Sequence, residues 1–238
     1  MLFFDGPNGL VHYRRWQATQ PQMAVILLHG LGQQSADYHR FARFLTRHHI
    51  DVWGIDHPGH GLSEGTFDDI PPIEDLAAAA LHLTAIARSA DSSVSLALVG
   101  HSLGAGTALI AMQATSHGVR DISRVVLTGT PELAHTLAVP GPGVPTLALH
   151  GRDDRRARID TIRMWCADQP TVTLREVPDA GHDLLHEPAH RAVAETIVDF
   201  LTGEMSPERF TVGHRPGPRR PERRTRRSCR AGCYVGGR

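Results

Sequence analysis

The stretch Leu96-Ala97-Leu98-Val99-Gly100-His101-Ser102-Leu103-Gly104-Ala105-Gly106 reads as a buried strand, a sharp turn and the start of a helix. Gly100 to Gly104 match the pattern G-x-S-x-G. In a strand–turn–helix setting this pattern places a serine hydroxyl at the tip of a strained turn, available as a nucleophile. The glycines have a steric job there, because side chains at 100 and 104 would meet the strand and the helix. The pattern alone is weakly specific. Its meaning depends on whether the rest of the chain supplies a base, an acid and an oxyanion site in a workable order.

Outward from this centre, apolar strands alternate with helical periodicity. Residues 9–16 form an early edge strand after the turn signal Pro7-Asn8-Gly9. Met23 to Leu28 is a continuous apolar run, the mark of a strand buried on both faces. Residues 36–48 carry Tyr38, Phe41, Phe44 and Leu45 at helical spacing. Further strands are expected at 51–55, 94–99, 125–128, 146–150 and 172–177, with helices at 73–90, 103–116, 159–167 and 189–201. This alternation predicts an α/β protein: a mostly parallel, doubly wound sheet with helices on both faces. In such folds chemistry sits at the carboxyl ends of the strands.

The chain of 238 residues suits one domain with a sizeable core, residues 1–202. From Gly203 the character changes to Arg, Pro and Gly, and residues 203–238 are expected to be a disordered tail. The zero net charge conceals this division. The tail holds ten Arg against Glu204, Glu208 and Glu222, which leaves residues 1–202 with a balance of −7. Every one of the 25 basic residues is Arg. The tail has no regular aromatic interleaving, so no nucleic-acid partner is expected. No run of 18 apolar residues predicts a membrane span, and the first residues carry no basic, apolar leader, so a cytoplasmic location is expected. Cys166, Cys229 and Cys233 make no disulfide framework.

A serine hydroxyl is a poor nucleophile without a general base, and the base needs an orienting carboxylate. With 16 histidines, position must discriminate. His182 lies in the loop after the last strand, behind Gly181. The carboxylate should come from the end of the preceding strand, His150-Gly151-Arg152-Asp153-Asp154, where two adjacent Asp compete.

With these pieces in view, the chain resembles the α/β-hydrolase superfamily, in particular serine hydrolases of the monoacylglycerol lipase and lysophospholipase type. The matching segments are His29-Gly30-Leu31-Gly32, the loop from Asp56 through Gly59-His60-Gly61 to Ser63, the elbow at Ser102, the stretch ending at Asp154, and Gly181-His182 with Glu187-Pro188 beyond. The order Ser102, Asp154, His182 is that of the fold. The resemblance assigns the acid to Asp154, with Asp153 second. It assigns the oxyanion hole to the backbone N–H groups of Leu31 and Leu103. Asp56 and His60 are read as loop-stabilising residues, and His29 as holding the oxyanion loop with no direct role in proton transfer. Many members insert a helical cap before the acid strand. Here residues 129–144, with Pro131, Pro140, Gly141, Pro142 and Gly143, are too few for one, so a minimal or absent cap is expected.

His186-Glu187-Pro188-Ala189-His190 matches H-E-x-x-H, a zinc pattern that needs both histidines on one continuous helix. Pro188 belongs in a first helical turn, so His186 precedes the helix and the pattern is not read as a metal site. The expected activity is cleavage of small or medium acyl esters, for example a monoacylglycerol or lysophospholipid, through an acyl-enzyme on Ser102. It needs no cofactor and no metal, and its partner is a small-molecule ester. The same residues serve thioester hydrolysis or acyl transfer. The rival from another class is a non-catalytic binding protein of the same fold.

Overall fold

The computed structural model describes residues 1–114, 122–132 and 143–205. Among these the chain forms an eight-stranded sheet. The strands are β1 (Leu2–Gly6), β2 (Gly9–Trp16), β3 (Met23–Leu28), β4 (Ile50–Ile55), β5 (Ser95–His101), β6 (Ile122–Thr128), β7 (Thr146–Gly151) and β8 (Val172–Val177). The helices are α1 (His39–Thr46), α2 (Ile73–Ala90), α3 (Leu103–Gln113), α4 (Ile159–Ala167) and α5 (His190–Thr202). The spatial order is β1-β2-β4-β3-β5-β6-β7-β8. β1, β2 and β4 pair antiparallel, and every pairing from β4 to β8 is parallel.

Two expectations need correction. β2 is not the edge strand, because Leu2–Gly6 pairs outside it. The hairpin turns at Pro7-Asn8, and Gly9 follows at φ 110°, a conformation open to glycine. β1 is five residues long and turns only Phe4 into the core, too little alternation to stand out in the sequence. The helix expected over 36–48 is a 3-10 turn at Ser35–Tyr38 followed by the shorter α1.

The apolar run in β3 divides by alternation. Ile26 and Leu28 join a cluster with Ala80 and Leu83 of α2, Leu109 of α3 and Trp165 of α4. Val25 and Leu27 point the other way, onto Phe41 and Leu45 of α1 and Val193 and Ile197 of α5. A strand with helices on both sides has no polar face, and each such Leu or Ile contributes about 1.5–3 kcal/mol on burial. α2 begins just after Pro72 with Glu74 and Asp75 in its first turn, charges that suit the helix amino end. Cys166 packs in the first cluster, and burial pushes its thiol up to about 12, which keeps it protonated and inert. Among the described residues no helix is long and apolar enough to cross a membrane.

The parallel strands all end at one edge of the sheet, and there the loops after β3, β5, β7 and β8 converge. Residues 133–142 of the expected short connection between β6 and β7, and residues 206–238 of the expected tail with Cys229 and Cys233, lie outside the described residues.

Candidate active site

Ser102 sits between the end of β5 and the first residue of α3, at φ 50° and ψ −111°. A non-glycine residue there is strained by about 1–3 kcal/mol, so the surroundings must hold it. They do so at three points. The Ser102 amide donates to the Thr128 carbonyl of β6 at 2.9 Å, and the Ser102 carbonyl accepts from the amides of Ala105 and Gly106. The flanking glycines remove the obstacles. A Cβ on Gly100 would fall on the Gly104 carbonyl oxygen, and a Cβ on Gly104 on that of Leu28.

The three side chains predicted as nucleophile, base and acid meet. Ser102 Oγ lies 2.9 Å from His182 Nε2, and His182 Nδ1 lies 2.7 Å from Asp154 Oδ2. The carboxylate can only accept, so Nδ1 carries the proton and Nε2 is left to accept from Ser102. Asp153 is exposed on the strand-end turn, while the Asp154 side chain is fully buried. Asp154 Oδ1 accepts from the amides of Arg156 at 2.8 Å and Ala157 at 2.9 Å, and Oδ2 stands 3.2 Å from His150 Nε2. Burial alone would raise the Asp154 pKa. The hydrogen bonds from His150, His182 and the two amides outweigh it and hold the carboxyl far below the usual carboxylate range.

The amides predicted as oxyanion donors are those of Leu103 and Leu31. Leu103 is the first residue of α3, where an amide has no intrahelical acceptor. Leu31 lies in the loop after β3, and among the described residues neither amide has an acceptor. His29 shapes that loop: its Nδ1 donates to the Gly30 carbonyl at 2.8 Å and its Nε2 accepts from the His57 amide at 2.9 Å. Burial lowers His29 to about 4, so the ring is a neutral brace. Asp56 is a scaffold residue as expected. It accepts from the amides of Ser35 and Leu62 and from His12 Nδ1. His60 Nδ1 donates to the Pro58 carbonyl at 3.2 Å, with its ring 5.1 Å from that of His29.

Three contributors escaped the sequence reading. Gln33 Oε1 accepts from the Gly30 amide at 2.9 Å and the Tyr38 hydroxyl at 2.6 Å, while its Nε2 donates to Asp183 Oδ2 at 3.2 Å. It therefore joins the Leu31 loop to the residue after His182. Glu187 accepts from the Gly181 amide at 2.6 Å and the Asp183 amide at 2.9 Å, strapping the chain on either side of His182. His150, behind Asp154, is the third. His186 Nδ1 donates to Asp183 Oδ1 at 2.8 Å and its Nε2 to the Asp37 carbonyl at 3.1 Å. That Asp183 contact raises the His186 pKa.

H-E-x-x-H fails as a zinc site on geometry: α5 begins at His190, and His186 is committed to Asp183 in the preceding turn. Among the described residues no group of three His, Cys, Asp or Glu side chains is placed to hold a metal ion. Ser102 opens into a cavity of about 160 Å³ whose walls include Leu31, Arg156 and His182.

A mostly parallel sheet with a nucleophile elbow at one strand end, and aspartate and histidine from later strand ends, defines an α/β-hydrolase. Within that class the chain belongs to the serine aminopeptidase S33 family (Hydrolase_4), whose model matches residues 19–140. The matched span holds the Leu31 loop and Ser102 and stops before Asp154 and His182. Similar proteins include the monoacylglycerol lipase of Mycolicibacterium smegmatis, 28% identical over 56% of this chain and 47% of that one. The human monoglyceride lipase is 31% identical over 57% of this chain and 46% of its own. The chain thus spans about half the length of these curated relatives. An α/β serine hydrolase without lid from Xanthomonas campestris shares the fold, with a TM-score of 0.69 and 17% identity over 84% of this chain and 91% of that one.

Proposed function

We propose that residues 1–202 form a serine hydrolase that cleaves carboxylic esters, with residues 203–238 as an appended basic tail. The observation that carries this reading is the relay from Ser102 Oγ to His182 Nε2 at 2.9 Å and from His182 Nδ1 to Asp154 at 2.7 Å. Ser102 Oγ attacks the ester carbonyl and passes its proton to His182 Nε2. The carbonyl oxygen gains charge and takes hydrogen bonds from the Leu31 and Leu103 amides, each worth about 3 kcal/mol by analogy with measured oxyanion holes. His182 then protonates the departing alcohol, leaving an acyl group on Ser102. Water, deprotonated by His182, releases the carboxylic acid. Asp154 keeps the ring in the required tautomer and stabilises the imidazolium.

The small cavity and the short connection before β7 favour small or medium acyl esters. The names of the two relatives favour a monoacylglycerol among them. Two measurements test the reading. A fluorophosphonate probe is expected to leave one adduct, on the Ser102 peptide. A chain-length panel of esters and acyl thioesters is expected to give faster ester turnover. No adduct and no turnover would leave a binding protein, and faster thioester cleavage would move the assignment to that class.

Gln33 has a role of its own to test. Gln33→Ala frees the Gly30 amide and the Tyr38 hydroxyl and unhooks the loop from Asp183. It is expected to lower kcat about tenfold, the equivalent of one hydrogen bond of about 1.4 kcal/mol, with KM within twofold. Equal losses in kcat and affinity would mean that Gln33 supports only the fold.

A further inference from the structure

A groove of about 700 Å³ runs between α1 and α5, and the proposed reaction does not use it. Its walls carry Arg40 and Arg43 from α1, Arg47 from the residue that ends that helix, and Arg191 from α5, over Phe44 and Leu185. Among the described residues no aspartate or glutamate lines it. Arg40 is engaged with the Leu185 carbonyl at 3.2 Å, and Arg191 with Glu195 at 3.2 Å. Arg43 and Arg47 are both exposed, and among the described residues neither guanidinium has an acidic partner. Arg43 lies in the last turn of α1 and Arg47 caps it four residues on, still in helical backbone conformation, a spacing at which like charges repel; the helix has no acidic residue of its own. The same two arginines border a second cleft, beside Arg15 and Trp16. This concentration of cations runs against the −7 balance of residues 1–202.

A groove of this volume fits a small molecule rather than a polymer. A guanidinium offers planar paired donors that match a carboxylate or phosphate, and is weakly enough hydrated to bind on a partly apolar floor. The half-buried Phe44 supplies that floor, while Leu185 beside it is itself buried. We propose that the groove binds an amphiphilic anion, a long-chain carboxylate, with its head group on Arg43 and Arg47 and its chain against Phe44. The cationic groove is independent of the ester reading. The choice of a carboxylate over a phosphate rests on it, since ester cleavage releases that class of anion.

The test is equilibrium binding to the full-length Ser102→Ala protein, so that no ligand is turned over. Dodecanoate, kept monomeric, is expected to bind at least tenfold more tightly than dodecanol, and more weakly as salt rises. Arg43→Gln/Arg47→Gln, two exposed changes verified to fold by circular dichroism, is expected to weaken dodecanoate at least tenfold and leave dodecanol unchanged. Equal binding of dodecanoate and dodecanol, or unchanged dodecanoate binding in the double variant, overturns the site. Tighter binding of dodecyl phosphate than of dodecanoate overturns the carboxylate assignment. Binding only to phosphatidylglycerol vesicles, with none to monomeric dodecanoate, overturns the small-molecule reading in favour of a membrane surface. Ester turnover by the unaltered protein is measured separately. Turnover without dodecanoate binding sinks the groove alone, and binding without turnover sinks the ester reading alone.

Discussion

Asp154→Asn is expected to lower kcat for ester hydrolysis about ten-thousandfold, and Asp153→Asn to leave it within twofold. The difference follows from which oxygen does what. Asp154 Oδ1 accepts from the amides of Arg156 and Ala157, while Oδ2 faces His182 Nδ1. In the variant the two amides retain the side-chain oxygen, because they can only donate. The NH2 group is then turned toward His182, which must present a bare Nδ1 and carry its proton on Nε2. An imidazole in that tautomer cannot take the proton of Ser102. Ser102→Ala is expected to lose at least as much, and the double variant no more than the worse single one, because residues that act as a unit do not lose activity additively. The readout is kcat on the best ester of the chain-length panel, with circular dichroism to verify folding. Retention of a tenth of the activity by Asp154→Asn, or transfer of the loss to Asp153→Asn, would remove Asp154 from the relay.

The sheet and the order of the relay were legible because they leave local patterns. Met23 to Leu28 reads as a two-sided strand from its composition, and the structure divides it between two helical layers residue by residue. Ser102 and His182 were legible because each follows a strand at a glycine. The choice between Asp153 and Asp154 was not legible from the residues alone. One position decides whether a side chain at the end of β7 turns to solvent, as Asp153 does, or lies against His182, as Asp154 does, and only the resemblance chose between them. Gln33 left no signal at all. Its partner Asp183 is 150 residues away, and no periodicity encodes such a contact. Glu187 and His150 lie beside the motifs of the relay, yet their work is to hold other residues, which spacing does not reveal. β1 leaves no readable pattern, because five residues, one of them inward and apolar, do not establish an alternation.

Gly104→Ala is expected to destabilise the protein by about 3–5 kcal/mol, a fall in Tm of about 10 °C. The first turn of α3 lies against the end of β3 so closely that the new Cβ would meet the carbonyl oxygens of Leu28 and His29. Those atoms are backbone, and they cannot rotate aside as a side chain can. The Leu28 end of β3 is also where the Leu31 loop departs, so relief would move Ser102 away from the proposed oxyanion donors, and activity should fall along with stability. Gly106→Ala supplies the contrast two residues on. There the nearest atom is the tip of the Ile73 side chain at 3.1 Å, which can shift, and alanine is the better helix former. Its stability is expected to stay within about 1 kcal/mol of the parent. Denaturant unfolding of both variants, with unchanged m-values, separates the two cases. If Gly104→Ala unfolds within 1 kcal/mol of the parent, α3 does not press on β3, and the elbow is held by its hydrogen bonds to Thr128, Ala105 and Gly106 alone.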